Sequence, residues 1–422
     1  MPSIQPIKAA RGIRDILPKD RAAWAVVERG AVRAARQFGY EELLVPIIEP
    51  LELIERGVGG DTDVVRKEMY RLEPHSDSSA RLALRPEATA SVVRAYFEGG
   101  LNQTTQPARL FTLGPMFRHD KPQYLRFRQF YQFDVEVIGD GAAPFDAEVI
   151  EMSRGWLTDL GLARISLELN SIGDQVCRPA YLEKLRAYYR PLKDQLHYDC
   201  QRRVEGNPLR LLDCKEEQCQ PFKAGAPKIT DNLCDACAAH FEEVRRDLDA
   251  GGVEYRLNPY LVRGLDYYTR TVFEYQHTAL GGAQNALGGG GRYDGLAAEL
   301  GYPATPGVGF AAGLDRIVAM LAEEGEEVVP APPARVLVLP ATPEQNLAAA
   351  RVGRLCRSVV PCAVDYTGRS LKAKMRSAAK TGVPIVAILG EDEAARQVVQ
   401  LRDMHSGAQA ETSWDRLPEA FA

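Results

Sequence analysis

The sequence predicts an α+β protein with a smaller α/β unit at its C-terminal end. Strand-like runs at 108–113 and 127–138 lie close enough to pair antiparallel inside a body that also holds amphipathic helices, which favours α+β over a doubly wound sheet. Beyond residue 334, apolar runs at 335–339, 361–366 and 384–389 alternate with helical stretches near 344–357 and 371–380, the pattern of a compact α/β unit. Between the two, an acidic run at 323–327 and the prolines Pro330, Pro332 and Pro333 mark a stiffened linker over 326–333. A chain of 422 residues is in any case too long for one core.

The elements follow in order. Asp20 is placed to cap a helix whose apolar positions Trp24, Val27, Ala31, Ala34 and Phe38 recur at helical spacing, and Gly39 is placed to end it. The run 43–48 reads as a strand, and Pro46 suits a sheet edge or an interface. Pro86 and Glu87 fall in the first turn of a helix containing 90–97. Residues 178–250 change character: charged helical stretches at 181–189 and 238–248 flank a cysteine-bearing loop region, and strand-like sequence resumes at 254–257. The segment therefore reads as an inserted, mostly helical domain. It divides a body made of 1–177 and 251–325 and leaves 334–422 as the C-terminal unit.

Charge and composition narrow the function. A net charge of −5 argues against non-specific coating of nucleic acid. From Arg335 onward there are 12 Lys+Arg and 9 Asp+Glu, a surplus of three that leaves −8 on the rest. A mildly basic tail unit on an acidic body fits local contact with a polyanion. No apolar run approaches the roughly 20 residues of a membrane helix, and the N-terminal residues lack a basic-then-apolar signal region, so a cytoplasmic protein without a membrane partner is expected. Eight cysteines are too few for a disulfide scaffold, yet six of them fall between Cys177 and Cys237.

Six constellations carry chemistry. Residues 261–275 place an arginine, an aspartate and two adjacent tyrosines behind a glycine and ahead of a strand, which suits recognition of a small polar ligand. In 117–138, strand alternation puts Arg128, Phe130, Gln132, Asp134 and Glu136 on one face, beside a loop carrying Arg118, Lys121 and Arg126. Such a face commonly meets only water; with cations next to carboxylates it also suits a site for phosphate and amine together. The segment 84–89 reads as an ordinary helix start. In 307–316, small residues alternate along a strand that delivers Arg316 at a helix start, and 288–294 is similar; neither ends as a phosphate loop does. Cys200, Cys214, Cys219, Cys234 and Cys237 have gaps usable in a tetrahedral zinc site, or are buried reduced thiols. Finally, Lys372, Arg376 and Lys380 share a helix face near Arg369 and Lys374, either a solvated basic face or an RNA-backbone contact.

Together these segments resemble class II aminoacyl-tRNA synthetases, and specifically the histidyl-tRNA synthetases. Residues 18–50, 109–138 and 307–320 resemble the three class motifs, while 261–275 and 292–295 resemble segments peculiar to the histidyl branch. The resemblance implies an antiparallel-sheet catalytic core with a mostly helical insertion, plus a C-terminal α/β anticodon-binding domain. It implies ATP-dependent activation of L-histidine with Mg²⁺, transfer to the 3′ end of tRNA(His), and a homodimer, with no DNA partner. By the same resemblance Glu87 and Thr89 hold the α-amino end of histidine, and Gln132 lies near its carboxyl end. Arg118 grips the α-phosphate and carboxylate, Arg126 and Arg316 the outer phosphates of ATP. Glu136 and Tyr268 read the imidazole with Tyr267 in the pocket, and Arg263 is a further catalytic cation. Lys121 and Gln123 approach the acceptor end of the tRNA.

Asp315 and Ala88 depart from the family's common Glu and Gly. Because only part of the family has a cysteine-rich insertion, the resemblance does not itself imply zinc. Two other readings share the fold. One is an inactive paralogue serving as regulatory subunit of ATP phosphoribosyltransferase; it typically lacks the C-terminal domain and has eroded motifs. The other is a sensing module derived from a synthetase, which would be expected to lose Arg263 or Arg316. The chain retains all of these features.

Overall fold

The computed structural model describes residues 6–60, 62–73, 81–280, 285–325 and 334–421. The chain divides into two compact units, one up to Val328 and one from Val329. The linker expected over 326–333 lies outside the described residues.

The strands of the first unit are β1 (Glu41–Glu42), β2 (Ile48–Pro50), β3 (Leu82–Leu84), β4 (Ala108–Phe117), β5 (Gln129–Ile138), β6 (Ile165–Ser171), β7 (Arg256–Leu257), β8 (Thr269–His277), β9 (Ala286–Arg292) and β10 (Gly307–Gly313). Eight of them form one sheet in the order β1-β4-β5-β10-β9-β8-β6-β7, and β2 pairs with β3 apart from it. The six central strands are antiparallel, and only the outermost pairs are parallel. The α+β expectation therefore holds.

Alternation divides this sheet into two faces. Phe133, Val135 and Val137 of β5, Val308 and Phe310 of β10, and Phe273 and Tyr275 of β8 are buried in one cluster with Trp24, Val27, Ala31 and Ala34 of the helix Arg21–Gln37. Trp156 of the helix Ala143–Asp159 joins them, stacking edge-on against Phe133 at 5.0 Å. The other face carries Gln132, Asp134 and Glu136. It would be an ordinary wet face, but a second cluster formed by residues 88–97, the Tyr267–Tyr268 pair and much of 178–250 covers it. Residues from Tyr181 to Ile229 share this apolar cluster with the body they interrupt, while Phe241, Val244 and Leu248 of the helix Asp235–Ala250 join the first cluster.

Some local expectations fail for identifiable reasons. Asp20 precedes its helix but makes no side-chain capping hydrogen bond. The run 43–48 is not a strand; only Glu41–Glu42 joins the edge of the sheet, and pairing resumes at Ile48. Pro46 has no N–H to donate to a ladder. The buried Arg85 guanidinium instead donates to the carbonyls of Val45 at 2.8 Å and Pro115 at 3.0 Å.

The C-terminal unit has five strands, β11 (Val336–Pro340), β12 (Cys362–Val364), β13 (Ile385–Leu389), β14 (Val398–Asp403) and β15 (Gln409–Ser413), in the order β12-β11-β13-β14-β15. The first three fall where strands were expected, and they pair in parallel. The antiparallel pair β14–β15 was not expected, because β15 reads Gln-Ala-Glu-Thr-Ser with no apolar period. On the helix Leu371–Thr381, Lys372, Arg376 and Lys380 are exposed as a set. Lys374 is not part of that face: it is buried and its Nζ donates to the Pro340 carbonyl at 2.8 Å. Arg369 pairs with Asp365 at 2.9 Å.

The centre of the large sheet depends on the absence of side chains. A Cβ at Gly290 would meet the Gly309 carbonyl oxygen at 1.9 Å, and backbone cannot swing aside. Gly290→Ala is expected to destabilise the first unit by about 1–3 kcal/mol or more, the cost of overpacking. The chemical-denaturation midpoint checks this, and a variant as stable as the parent would contradict the packing.

Candidate functional site

The polar face of the sheet has a buried end and an open cleft. At the buried end, Glu136 is 2% exposed and its Oε2 accepts from the Tyr293 hydroxyl at 2.5 Å. The carboxylate has room because β10 carries glycine opposite it: a Cβ at Gly309 would lie 1.9 Å from Glu136 Oε2. Gly291 of β9 likewise leaves space, since its Cβ would fall 3.0 Å from the Tyr268 ring. Tyr267 packs against Tyr268 with ring centroids 4.7 Å apart and edge-on to Tyr293 at 5.8 Å. The Tyr267 hydroxyl reaches Glu87 Oε2 at 3.5 Å.

Glu87 is not in the first helical turn as expected. It lies before the helix Thr89–Glu98, where its carboxylate accepts the backbone N–H groups of Thr89 at 2.8 Å and Ala90 at 3.1 Å. That ties an acidic group to an N-terminal helix end, where the macrodipole favours it. Burial pushes the carboxyl pKa values of Glu87, Asp134 and Glu136 upward. Three such groups in one wall, with the Asp134 Oδ2 and Gln132 Oε1 buried and unpartnered among the described residues, describe a surface built to receive hydrogen-bond donors.

The open part is a cleft of about 290 Å³ lined by Arg118, Arg126, Gln132, Arg263 and Arg316 among others. Two larger hollows, of about 750 and 760 Å³, lie elsewhere and hold none of these residues. The glycines and alanines of β9 and β10 floor the cleft, as the small-residue alternation suggested. Arg118 donates through Nε to the Pro86 carbonyl at 2.9 Å and lies over Phe130 at 5.4 Å. Arg316 enters from the first turn of the helix Leu314–Glu323 and donates to the Ala286 carbonyl at 2.6 Å. Burial lowers the Arg316 pKa, and the nearby Arg126 and Arg118 charges lower it further. Cations that repel one another in this way are arranged for a shared anion. Arg126 is held by Asp120, with Glu68 at 3.7 Å. Arg263 Nη1 pairs with Glu274 Oε2 at 2.5 Å.

Of the residues singled out in the sequence, the structure gathers Arg118, Arg126, Gln132, Arg263 and Arg316 at the cleft and Glu87, Thr89, Glu136, Tyr267 and Tyr268 at its buried end. Lys121 and Gln123 are exposed on the loop between β4 and β5 and do not line the cleft. Sequence reasoning gave no individual role to Tyr293, Asp134, Glu274 or Arg85. Tyr293 stands in the 292–295 segment and Asp134 on the polar register of β5, so both were within reach. The Arg263–Glu274 and Arg85–carbonyl contacts require the folded chain. The five cysteines offered for a zinc site do not gather in one place. The structure separates them into Cys200, Cys214 and Cys219, inside the short helices of 178–250, and Cys234 with Cys237, which meet Cys177 and Asp174 instead.

An antiparallel sheet with a cation-lined cleft on one face, joined to a separate α/β unit with a basic helix, defines an aminoacyl-tRNA synthetase of the class II type. The histidyl-tRNA synthetase family description matches residues 12–195 and 203–317, and the anticodon-binding domain description matches 335–422. The chain is 48% identical over 414 residues to the histidine–tRNA ligase of Desulforudis audaxviator, covering 98% of each protein. The structure matches apo histidyl-tRNA synthetase of S. aureus with a TM-score of 0.81 at 32% identity, covering 99% of this chain and 100% of that one. It also shares its fold with an ATP phosphoribosyltransferase regulatory subunit/histidyl-tRNA synthetase of Bacillus halodurans, at a TM-score of 0.63 and 20% identity over 88% of this chain and 97% of that one. The chain belongs to the histidyl-tRNA synthetase family.

The buried carboxyl group at position 136 has a consequence for stability. Its pKa is raised by burial, so folding favours the protonated form, and the stability it lends below the unfolded value is lost as pH rises toward the folded one. Glu136→Gln removes that loss. The thermal midpoint of the variant is expected to gain on the parent as pH rises above the ordinary carboxylate range, and a difference that stays constant from acid to neutral pH would show that Glu136 is not the group that ionises.

Proposed function

We propose that the protein ligates histidine to tRNA(His) in two steps at this one cleft. The observation that carries the reading is the buried Glu136–Tyr293 pair, with Tyr267 and Tyr268 packed beside it, at the end of a wall whose open part holds four arginines. Glu136 and Tyr268, with Tyr267 beside them, read the imidazole. A ligand without ring nitrogens would leave buried polar groups unpaired. Glu87 and Thr89 receive the α-amino group. Gln132, whose Oε1 has no partner among the described residues, stands toward the carboxyl end.

In the first step the histidine carboxylate oxygen attacks the α-phosphorus of ATP, the bond to the β-phosphate oxygen breaks, and pyrophosphate leaves. In the second a ribose hydroxyl of the terminal adenosine attacks the acyl carbon and AMP leaves. Neither step needs a nucleophile from the protein. Arg118 and Arg263 stabilise charge spreading over the phosphate oxygens, and Arg126 and Arg316 hold the outer phosphates. Mg²⁺ arriving with ATP would add charge stabilisation at the phosphates to that of the four arginines.

In this reading 1–177 and 251–325 form the catalytic domain, 178–250 an insertion tied to it by structural zinc, and 334–422 the anticodon-binding domain. Lys121 and Gln123 meet the tRNA acceptor end, and the exposed Lys372, Arg376 and Lys380 offer phosphate contacts. A homodimer is supported by Leu44, Ile47 and Ile48, which are 74%, 41% and 49% exposed beside the β1 edge. A purely regulatory paralogue has no use for convergent Arg118, Arg263 and Arg316, and the likeness to that solved protein extends only to the fold. Among the described residues, no helix is long and apolar enough to cross a membrane.

ATP–pyrophosphate exchange measured with each amino acid in turn tests the proposal. Exchange is expected with histidine alone; equal exchange with threonine or proline would overturn the assignment of Glu136 and Tyr268. Arg263→Ala is expected to lower kcat about 100- to 1000-fold, as loss of an oxyanion donor does, with circular dichroism unchanged. Near-normal kcat, or an unfolded variant, would make Arg263 a structural partner of Glu274.

A further inference from the structure

Four metal-donor side chains meet where the segment 178–250 leaves the sheet and where its last helix begins. Asp174 lies in the loop after β6. Cys177 immediately precedes the helix Arg178–Tyr189, Cys234 immediately precedes the helix Asp235–Ala250, and Cys237 lies in that second helix's first turn. One carboxylate oxygen and three sulfurs all lie within 4.8 Å of one another. The Cys177 and Cys234 sulfurs stand 3.6 and 4.0 Å from Asp174 Oδ1. Sulfurs bound to tetrahedral zinc at about 2.3 Å stand about 3.8 Å apart, so shifts of about an ångström close the cage. Helix N-termini favour thiolates, and a sulfur-rich set selects zinc over magnesium or calcium. All three cysteines are free, and joining any two as a disulfide would leave the third sulfur alone beside a carboxylate.

The other trio, Cys200, Cys214 and Cys219, is buried, and no fourth donor joins it within the same distance among the described residues. It is an incomplete cage.

The four-donor cluster touches the histidine pocket through its neighbours. Arg178, next to Cys177, donates to the Tyr268 carbonyl at 2.6 Å, and also to the carbonyls of Gly173 at 2.9 Å and Ile172 at 3.1 Å. Arg270, two residues past Tyr268, pairs with Asp174 at 3.5 Å, and its backbone N–H donates to Gly173 at 2.7 Å. Both arginines thus bind the 172–174 backbone to the segment carrying Tyr267 and Tyr268.

We propose that Asp174, Cys177, Cys234 and Cys237 bind one zinc ion, and that this ion positions Tyr268. The ion joins the first and last helices of the 178–250 segment at their roots. The thiols release their protons on binding, so affinity falls as pH is lowered. The second half of the inference rests on the reading of Tyr268 as a histidine contact; the first half does not.

Zinc content of protein purified without chelator tests the site directly. About one zinc per chain is expected, retained in Cys214→Ala and lost in Cys177→Ser and Asp174→Asn. Loss in Cys214→Ala with retention in Cys177→Ser would overturn the assignment, as would less than about 0.2 zinc per chain in the parent. Zinc absorption fine structure of the unmutated protein avoids any folding defect. Three sulfurs near 2.3 Å and one oxygen at about 2.0–2.2 Å are expected; four sulfurs, or a nitrogen in the shell, would overturn the cage. Removing the ion should raise KM for histidine about tenfold, in the range of lost outer-sphere support, with KM for ATP little changed. Depleted protein with an unaltered histidine KM would remove the link to Tyr268, while an absence of histidine-dependent exchange in the zinc-loaded parent would count against the functional reading instead.

Discussion

The Glu136 carboxylate and the missing side chain at position 309 form one structural unit. A Cβ there would sit 1.9 Å from the carboxylate oxygen, so the acid can be buried in the sheet face only because the facing strand is bare. Burying a carboxylate is costly unless its oxygens are hydrogen-bonded. Here the Tyr293 hydroxyl satisfies one oxygen, and the raised carboxyl pKa expresses the part of the cost that remains. A ligand that donates a hydrogen bond to the same group relieves that residue of strain on the charge. The pocket is thus complementary to a small polar cationic or hydrogen-bond-donating group before any substrate arrives.

The two faces of the sheet are separate solutions to the same backbone. Phe133, Val135 and Val137 anchor β5 in the apolar cluster against the helices, which leaves Gln132, Asp134 and Glu136 no choice of direction. A slip of one residue would exchange the faces and destroy core and site together. The stacked Phe273 and Phe310 rings on the apolar side, 6.1 Å apart, lie directly behind the glycine-floored cleft. Rigidity on one side allows unpaired polar groups on the other, because packed aromatic rings prevent the strands from relaxing to satisfy them.

The arginines divide the labour by how they are held. Arg85 is committed to carbonyls and Arg292 to the buried Asp146, so both are structural. Arg118, Arg126, Arg263 and Arg316 are each held by one or two local partners and face a common space. Residue type alone does not separate the two groups. The partners found in the folded chain do.

Much of this was legible in the sequence. Period-two alternation in 128–136 assigned the polar face of β5, and the alternating small residues of 307–313 marked the bare strand, because side-chain direction in a strand follows directly from position. The apolar period of the first helix and the first three strands of the C-terminal unit were legible for the same reason. The motif resemblance named the arginines. What the sequence could not decide is how distant segments meet. Pro46 and Arg85 are 39 residues apart, and their contact replaced an expected strand. Glu274 neutralises Arg263, and Tyr293 completes Glu136, through sheet pairings that no local pattern encodes. The cysteines show the limit most plainly. Their spacing suggested one metal set, yet the helices of 178–250 carry Cys200, Cys214 and Cys219 to one place and bring Cys234 and Cys237 to Cys177 and Asp174 in another. Sequence determined which donors and charges exist and which way each faces along its own strand or helix; tertiary packing alone decided which of them share a site, because that depends on distances between segments and not on the order of residues within one.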